Sequence, residues 1–412
     1  MSRIIVKFGG TSVQDPERIK KAAQSVIQQA KKGNEVVVVV SAMGETTDIL
    51  INLLKDSAKD HVEDKDYADF VSLGERLSSR LLSTTIKSMG FASRYFDPSD
   101  IDFPIITDEN FSEAKILPAE SKEKCQKIID PLLKEGIIPV VCGFLGRSYK
   151  EGSITTLGRG GSDITAFALG NFLEADEVII VTDAVGVLSA DPRLIKEPVI
   201  LKTISVEEMG VLAESGAKVL HPRALKYKTD KMKAKIIHFQ KGDLSAEGTE
   251  IIGAFTSKLI LFKEELTMLT ILGTEIFDTP GLLKKVITPL ADKQISLYGV
   301  SIGTKHIGIY VRENCAQQSY DLIHPLVIED ERLKSITLKK DIALIIARSR
   351  DFIDTPGIIE KISRPLAQNN INITEMITIK TDILIFLEWK DRELAYQIIK
   401  KSLEEAGIVV TN

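Results

Sequence analysis

Ile4-Ile5-Val6-Lys7-Phe8-Gly9-Gly10-Thr11-Ser12 decides the fold. Apolar residues on both sides of a single lysine read as a strand buried on both faces, and the small residues that follow end it. Asp15-Pro16 then supplies an N-cap and an N1 proline for a helix that stops near Gly33. Val36–Val40 is a second buried strand, again followed by a small polar loop, Ser41-Ala42-Met43-Gly44. Further on, strands are expected at Ile137–Cys142 and Val178–Thr182, with helices at Tyr67–Met89, Ala119–Lys134 and Ser162–Leu173. This alternation predicts an α/β domain, a mainly parallel sheet sandwiched by helices. Ligands of such sheets bind beyond the carboxyl ends of the strands. Gly9-Gly10, Ser41–Gly44, Gly143–Gly161 and Thr182-Asp183 all fall there.

The chemistry gathers around Thr155-Thr156-Leu157-Gly158-Arg159-Gly160-Gly161-Ser162-Asp163-Ile164-Thr165. Its glycines can reach positive φ and let backbone amides approach an anion. Ser162 and Asp163 sit where a helix should begin, and a helix N-terminus attracts negative charge. Arg159 adds a fork suited to carboxylate or phosphate. Lys7, one residue from the end of its strand, could bring an ammonium to phosphate oxygens. No Walker A loop is present, and Asp163 stands where a dinucleotide fingerprint would need its third glycine.

Composition narrows the class. The formal net charge of -5 and pI near 5.8 give no general pull towards nucleic acid or anionic membrane. The longest apolar runs are strand-length, and the first residues do not read as a signal peptide. Cys125, Cys142 and Cys315 have no metal or redox spacing, which favours free thiols in a reducing cytoplasm. The five histidines are scattered, so no protein-held metal site is expected.

After about residue 265 the chain repeats itself at an offset of 76 residues. Phe277-Asp278-Thr279-Pro280-Gly281-Leu282-Leu283-Lys284-Lys285-Val286 lines up with Ile353-Asp354-Thr355-Pro356-Gly357-Ile358-Ile359-Glu360-Lys361-Ile362. Pro289-Leu290-Ala291 matches Pro365-Leu366-Ala367, and Ile295 matches Ile371. Each copy reads as strand, Asp-Thr-Pro-Gly turn, amphipathic helix and then strands at Ile307–Val311 or Ile383–Leu387. Asp278 or Thr279 before Pro280 is a helix-start signal. Two copies are too few for a solenoid.

Val6-Lys7-Phe8-Gly9-Gly10-Thr11-Ser12-Val13, Ser72-x-Gly74-Glu75-Arg76, Thr155–Asp163, Asp191-Pro192-Arg193 and Ala217-Lys218-Val219-Leu220-His221-Pro222 resemble the aspartate kinases. These stand in that family's order and spacing. The repeat resembles a pair of ACT domains, small ferredoxin-like α+β modules. The resemblance implies an amino acid kinase domain over residues 1–255 and ACT units over 265–335 and 340–412, with Gly407–Thr411 returning to complete the first. It implies transfer of the γ-phosphoryl group of ATP to the β-carboxylate of L-aspartate, with Mg²⁺ held mainly by the phosphates. Lys7 and Asp163 would be the catalytic pair. Thr47, Glu75, Phe144, Arg159 and Ser162 would line the aspartate pocket, with Arg159 on the α-carboxylate and Glu75 helping to position the other end. Lys7, Phe8, Gly9, Gly10, Thr182, Asp183, Leu188, Arg193, Lys218 and Val219 would surround ATP. Asp278, Thr279, Gln294, Ile295, Asn370 and Asn372 would contact an effector, Lys or Thr or both, and a homodimer or larger homo-oligomer through the ACT units would follow. His221 reads as a structural N-cap before Pro222. Two rivals stay open: a kinase of the same fold for another small acid or a nucleotide monophosphate, and an amino-acid-binding regulator with a vestigial kinase half.

Overall fold

The structure is a computed structural model that describes residues 1–58, 62–214, 220–254, 256–408 and 410–411. It divides into two units, Met1–Phe255 and Thr256–Asn412. In the first, eight strands form one sheet: β1 (Arg3–Phe8), β2 (Glu35–Val40), β3 (Ser93–Phe96), β4 (Ile138–Cys142), β5 (Glu177–Thr182), β6 (Thr203–Ser205), β7 (Lys233–His238) and β8 (Thr249–Ile252). Their spatial order is β3-β4-β2-β1-β5-β7-β8-β6, and only the β7/β8 pair runs antiparallel. Ile4, Val6, Phe8, Val36, Val38 and Val40 feed one core. Ile5, Val37, Val39 and Val141 feed the other. Burial on both faces is why these strands read as unbroken apolar runs.

Helix α1 (Pro16–Lys31) starts as expected, with the Asp15 side chain accepting from the Arg18 amide. The helix expected at Tyr67–Met89 is two segments, Asp64–Val71 and α2 (Leu73–Ser88), with Ser72 between them still in right-handed helical geometry. The stretch expected at Ala119–Lys134 contains a wider π turn at Cys125–Ile129. Pro131 just beyond it has no N–H to give to the helical ladder. Helix α3 (Gly161–Phe172) is capped by Gly160 at φ 74°. Ser162 and Asp163 therefore lie inside its first turn rather than at the cap. Among the described residues no helix is long and apolar enough to cross a membrane.

The second unit carries β9 (Lys258–Leu261), β10 (Leu266–Gly273), β11 (Gly299–Ile302), β12 (His306–Arg312), β13 (Leu333–Arg348), β14 (Ile373–Ile379) and β15 (Asp382–Glu388) in one antiparallel sheet. Helices α4 (Leu282–Asp292), α5 (Ala316–Glu329), α6 (Ile358–Gln368) and α7 (Arg392–Glu405) pack on it in two cores. The repeat is visible in backbone conformation as well as sequence. Gly281 and Gly357 cap α4 and α6 at φ 81° and 78°, while Gln294 and Asn370 follow them at 56° and 57°. Leu282, Val286, Leu290 and Ile295 are buried, and so are their counterparts Ile358, Ile362, Leu366 and Ile371. The helix-start reading of Asp278 and Thr279 is corrected here: α4 begins three residues later, because the left-handed glycine after Pro280 turns the chain first.

Strand β13 runs unbroken across residues 335 to 340, through both ferredoxin-like units. It pairs with β10 up to Ile342 and with β15 from Ile342 onward, and Asp341 at φ 56° marks a bulge at the change. Among the described residues, the end of the chain runs beside β9. Thr411 bridges Lys258, and β9 lies along Ile345–Arg348. Once β10 has left, that edge of β13 is open, and β9 closes it. On the sheet face away from the helices, Tyr310 stacks on Phe386 at 3.8 Å and its hydroxyl donates to Glu375 at 2.6 Å.

Candidate active site

Parallel pairing in register brings the ends of β1, β2, β4 and β5 to one rim, with Phe8 beside Val40 and Val181, and Val40 beside Cys142. Lys7 shares the face of Ile5 and so points towards α3. Its Nζ lies 2.7 Å from Asp163 Oδ1, and both side chains are about nine-tenths buried. The backbone N–H of His221 donates to Asp163 Oδ2 at 3.2 Å. Asp163 is thus held between a cation and an amide at the start of a helix. A buried ion pair adds little net stability on average, so what this pair presents at the rim is its more telling property.

Glycine at four places lets these elements approach. A Cβ on Gly10 would meet Ala42 O at 2.8 Å, and the Gly44 amide donates to Gly10 O. A Cβ on Gly143 would meet Ser162 Cβ at 2.7 Å and Val40 O at 2.9 Å. Gly161 lies against Phe144, and Gly160 against His221. The Gly9 amide is not free for phosphate, because it donates to Val181 O at 3.0 Å. Phe144 adopts φ 68°, a strained value for a bulky residue, at the bend where the chain leaves β4.

Glu75 is 4% exposed in the first turn of α2, where Oε1 accepts from the Ala42 amide at 3.0 Å. Gly74 beside it is explained by contact: a Cβ there would be 2.7 Å from Ala42 Cβ. Burial lifts the Glu75 carboxyl to about 8, against the pull of the Ala42 hydrogen bond. Folded protein therefore keeps a proton that the unfolded chain releases near 4.5. Its stabilising contribution is full below that value and is lost as pH rises towards 8. Glu75→Gln should flatten this part of the stability–pH curve, which urea unfolding between about pH 5 and 8 would detect.

The remaining expected residues are placed as follows. Ser162 Oγ is 2.9 Å from Ser41 Oγ, and Thr47 is half-buried in the first turn of the helix Thr46–Ala58. Arg159 is exposed between Gly158 and Gly160 and contacts no partner among the described residues. Thr182 hydrogen-bonds Asp183 at the end of β5. Leu188 is half-buried and bridges Ile200. Arg193 is turned onto Asp191 in a paired contact, which holds the Asp191 carboxyl down at about 2. Lys218 and Val219 lie outside the described residues. In the second unit Asp278, Gln294, Asn370 and Asn372 are exposed and Thr279 is half-buried. Ile295 is buried in the α4 core, so only its backbone is open to a ligand.

Sequence reasoning placed Ser41–Gly44 at the ligand rim without assigning contacts to Ser41 or the Ala42 amide, and it missed the His221 amide. Ser41 and Ala42 had a signal, namely their position after a buried strand. The His221 contact had none, because a backbone donor leaves no mark on residue identity. His221 does cap Pro222–Tyr227 through its side chain, as expected.

Comparison with known proteins places these features in context. Residues 2–238 match the amino acid kinase family, and residues 338–401 match an ACT domain. The chain is 32% identical to an aspartokinase of Thermus thermophilus, over 98% of this chain and 99% of that one. It is 30% identical to aspartokinase 2 of Bacillus subtilis, over 98% of each. Among solved structures, the aspartate kinase of Synechocystis superposes with a TM-score of 0.79 at 27% identity, covering 99% of this chain and 70% of that one. E. coli aspartokinase III, solved with aspartate and ADP, shares the fold with a TM-score of 0.55 at 23% identity, covering 97% and 99%.

Proposed function

This chain belongs to the amino acid kinase family, among its aspartokinases, and from that premise we propose how its residues perform the reaction. It is a phosphotransferase with a carboxyl acceptor. The specific reading is transfer of the γ-phosphoryl group of ATP to the β-carboxylate of L-aspartate, giving 4-phospho-L-aspartate. The observation that carries it is the ion pair of Lys7 and Asp163 at the strand rim, reached by the N-terminus of α3.

A carboxylate with a pKa of about 4 is ionised at neutral pH, so the acceptor needs no general base. What opposes reaction is repulsion between that carboxylate and a triphosphate. Lys7 offsets it at the transferring group, aided by the positive end of the α3 dipole. Asp163, fixed by the His221 amide, holds the Lys7 ammonium in place. Arg159, free of internal partners among the described residues, is available to the substrate α-carboxylate. Glu75, whose Oε2 is buried without a hydrogen bond, helps to position the other end of the substrate. Thr47, Phe144 and Ser162 complete the pocket. Thr182, Asp183, Leu188 and Arg193 stand at the nucleotide side. Magnesium fits as an ion carried on the phosphates, where one or two carboxylates suffice, and it would neutralise part of their charge.

Lys or Thr, or both, bind the ACT units at Asp278, Thr279, Gln294, Asn370 and Asn372 and lower activity, and these units also join two copies of the chain. The test is ADP release with ATP and aspartate, run with Lys and Thr singly and together. Aspartate-dependent turnover depressed by an effector is the expected result. Turnover with another small acid but none with aspartate would overturn the substrate assignment.

A further inference from the structure

In the proposed reaction Arg159 grips the substrate, yet its own side chain has no partner among the described residues to fix where it points. It stands between Gly158 at φ 69° and Gly160 at φ 74°. Glycines in that region make a backbone easy to bend. A guanidinium that must meet a carboxylate there depends on whatever holds the loop from outside.

The Leu157 amide donates to Phe144 O at 2.8 Å, and the Gly161 amide donates to Gly158 O at 3.0 Å. His221 lies so close over Gly160 that no Cβ would fit between them. The remaining hold comes from Arg223, which is half-buried. Its Nη1 donates to Leu157 O at 3.3 Å and lies 3.6 Å from where a Cβ on Gly158 would stand. Among the described residues Arg223 makes no ion pair, and no other donor reaches Leu157 O. The base from which it reaches is fixed in turn. Ala224 and Leu225 are buried in the same core as α3, the Tyr227 ring meets Phe172 edge-on at 5.9 Å, and Asn171 donates to Tyr227 O at 3.1 Å. With the His221 amide on Asp163, the turn Pro222–Tyr227 is tied to α3 at both ends.

We propose that Arg223 is a positioning residue for aspartate binding: its guanidinium fixes the Leu157 carbonyl and, through it, the direction of Arg159. This rests on the reading of Arg159 as the α-carboxylate contact. Arg223 acts through the loop and not on the nucleotide, so its loss falls on one substrate only.

Steady-state kinetics of the full-length chain tests it. Arg223→Met keeps the apolar stem of the side chain and removes its donors. KM for aspartate should rise roughly tenfold, about what one lost hydrogen bond from a charged group is worth, while KM for ATP and kcat change far less. Arg223→Lys keeps a donor and the charge, and because a single N–H makes the contact it should recover most of the loss. If Arg223 acts through Arg159, adding Arg223→Met to Arg159→Ala raises KM for aspartate no further. A further rise in that double variant, an equal rise in both KM values, or an unchanged KM for aspartate in Arg223→Met would overturn the proposal. An unchanged KM for aspartate in Arg159→Ala alone would sink the α-carboxylate assignment itself, and this inference with it.

Discussion

Lys7→Ala is expected to lower turnover by ~10²–10³ while leaving the fold intact. The ammonium is the only side-chain cation in contact with Asp163 among the described residues, and it stands at the end of the strand next to Gly9. Its removal takes away charge that matters most when the phosphoryl group is between donor and acceptor. The loss should therefore fall mainly on kcat, with a smaller change in KM for aspartate. Asp163 keeps the His221 amide, so the partner left behind is not wholly unsatisfied. Because Lys7 and Asp163 act as a unit, adding Asp163→Asn to Lys7→Ala should cost little more than Lys7→Ala alone. Steady-state kinetics on the single and double variants decide it. Near-normal kcat for Lys7→Ala would exclude this lysine from the chemistry.

Gly143→Ala is the second large effect, and it acts through packing rather than charge. The new methyl would press on Ser162 Cβ and Cα and on Val40 O, all at or below 3.0 Å. Neither neighbour is a flexible tip. One belongs to the first turn of α3 and the other to β2, so the helix start must move. Overpacking of this kind costs ~1–3 kcal/mol. A displacement of about 1 Å at Asp163 and Ser162 could cost ~10² in rate. The expectation is a lower urea midpoint together with a kcat loss larger than the stability loss alone would give. A variant that loses stability but keeps kcat would show that the helix start does not set the geometry.

How much of this could be read from residues alone depends on the kind of feature. The parallel sheet was legible because Ile4–Phe8 and Val36–Val40 are apolar without alternation, and only burial on both faces explains that. Lys7 and Asp163 were legible because a lysine in a buried strand and an acid in a glycine turn both need partners. The repeat was legible because Gly281 and Gly357 serve the same left-handed cap. The path of the last residues was not, since which edge of β13 is open depends on pairings between distant strands. Glu75 lay between these cases. Gly74 flagged it, but the depth of its burial depends on Ala42, which arrives from another loop.

The strand β13 has one further implication. Its first half belongs to one ferredoxin-like unit and its second half to the other, so neither unit can rotate or slide without dragging the backbone of its neighbour. A ligand that tightened either would pull on the same girder, and the kink at Asp341 is where that girder could flex. Strain set up in either unit would then add up in a single mechanical element.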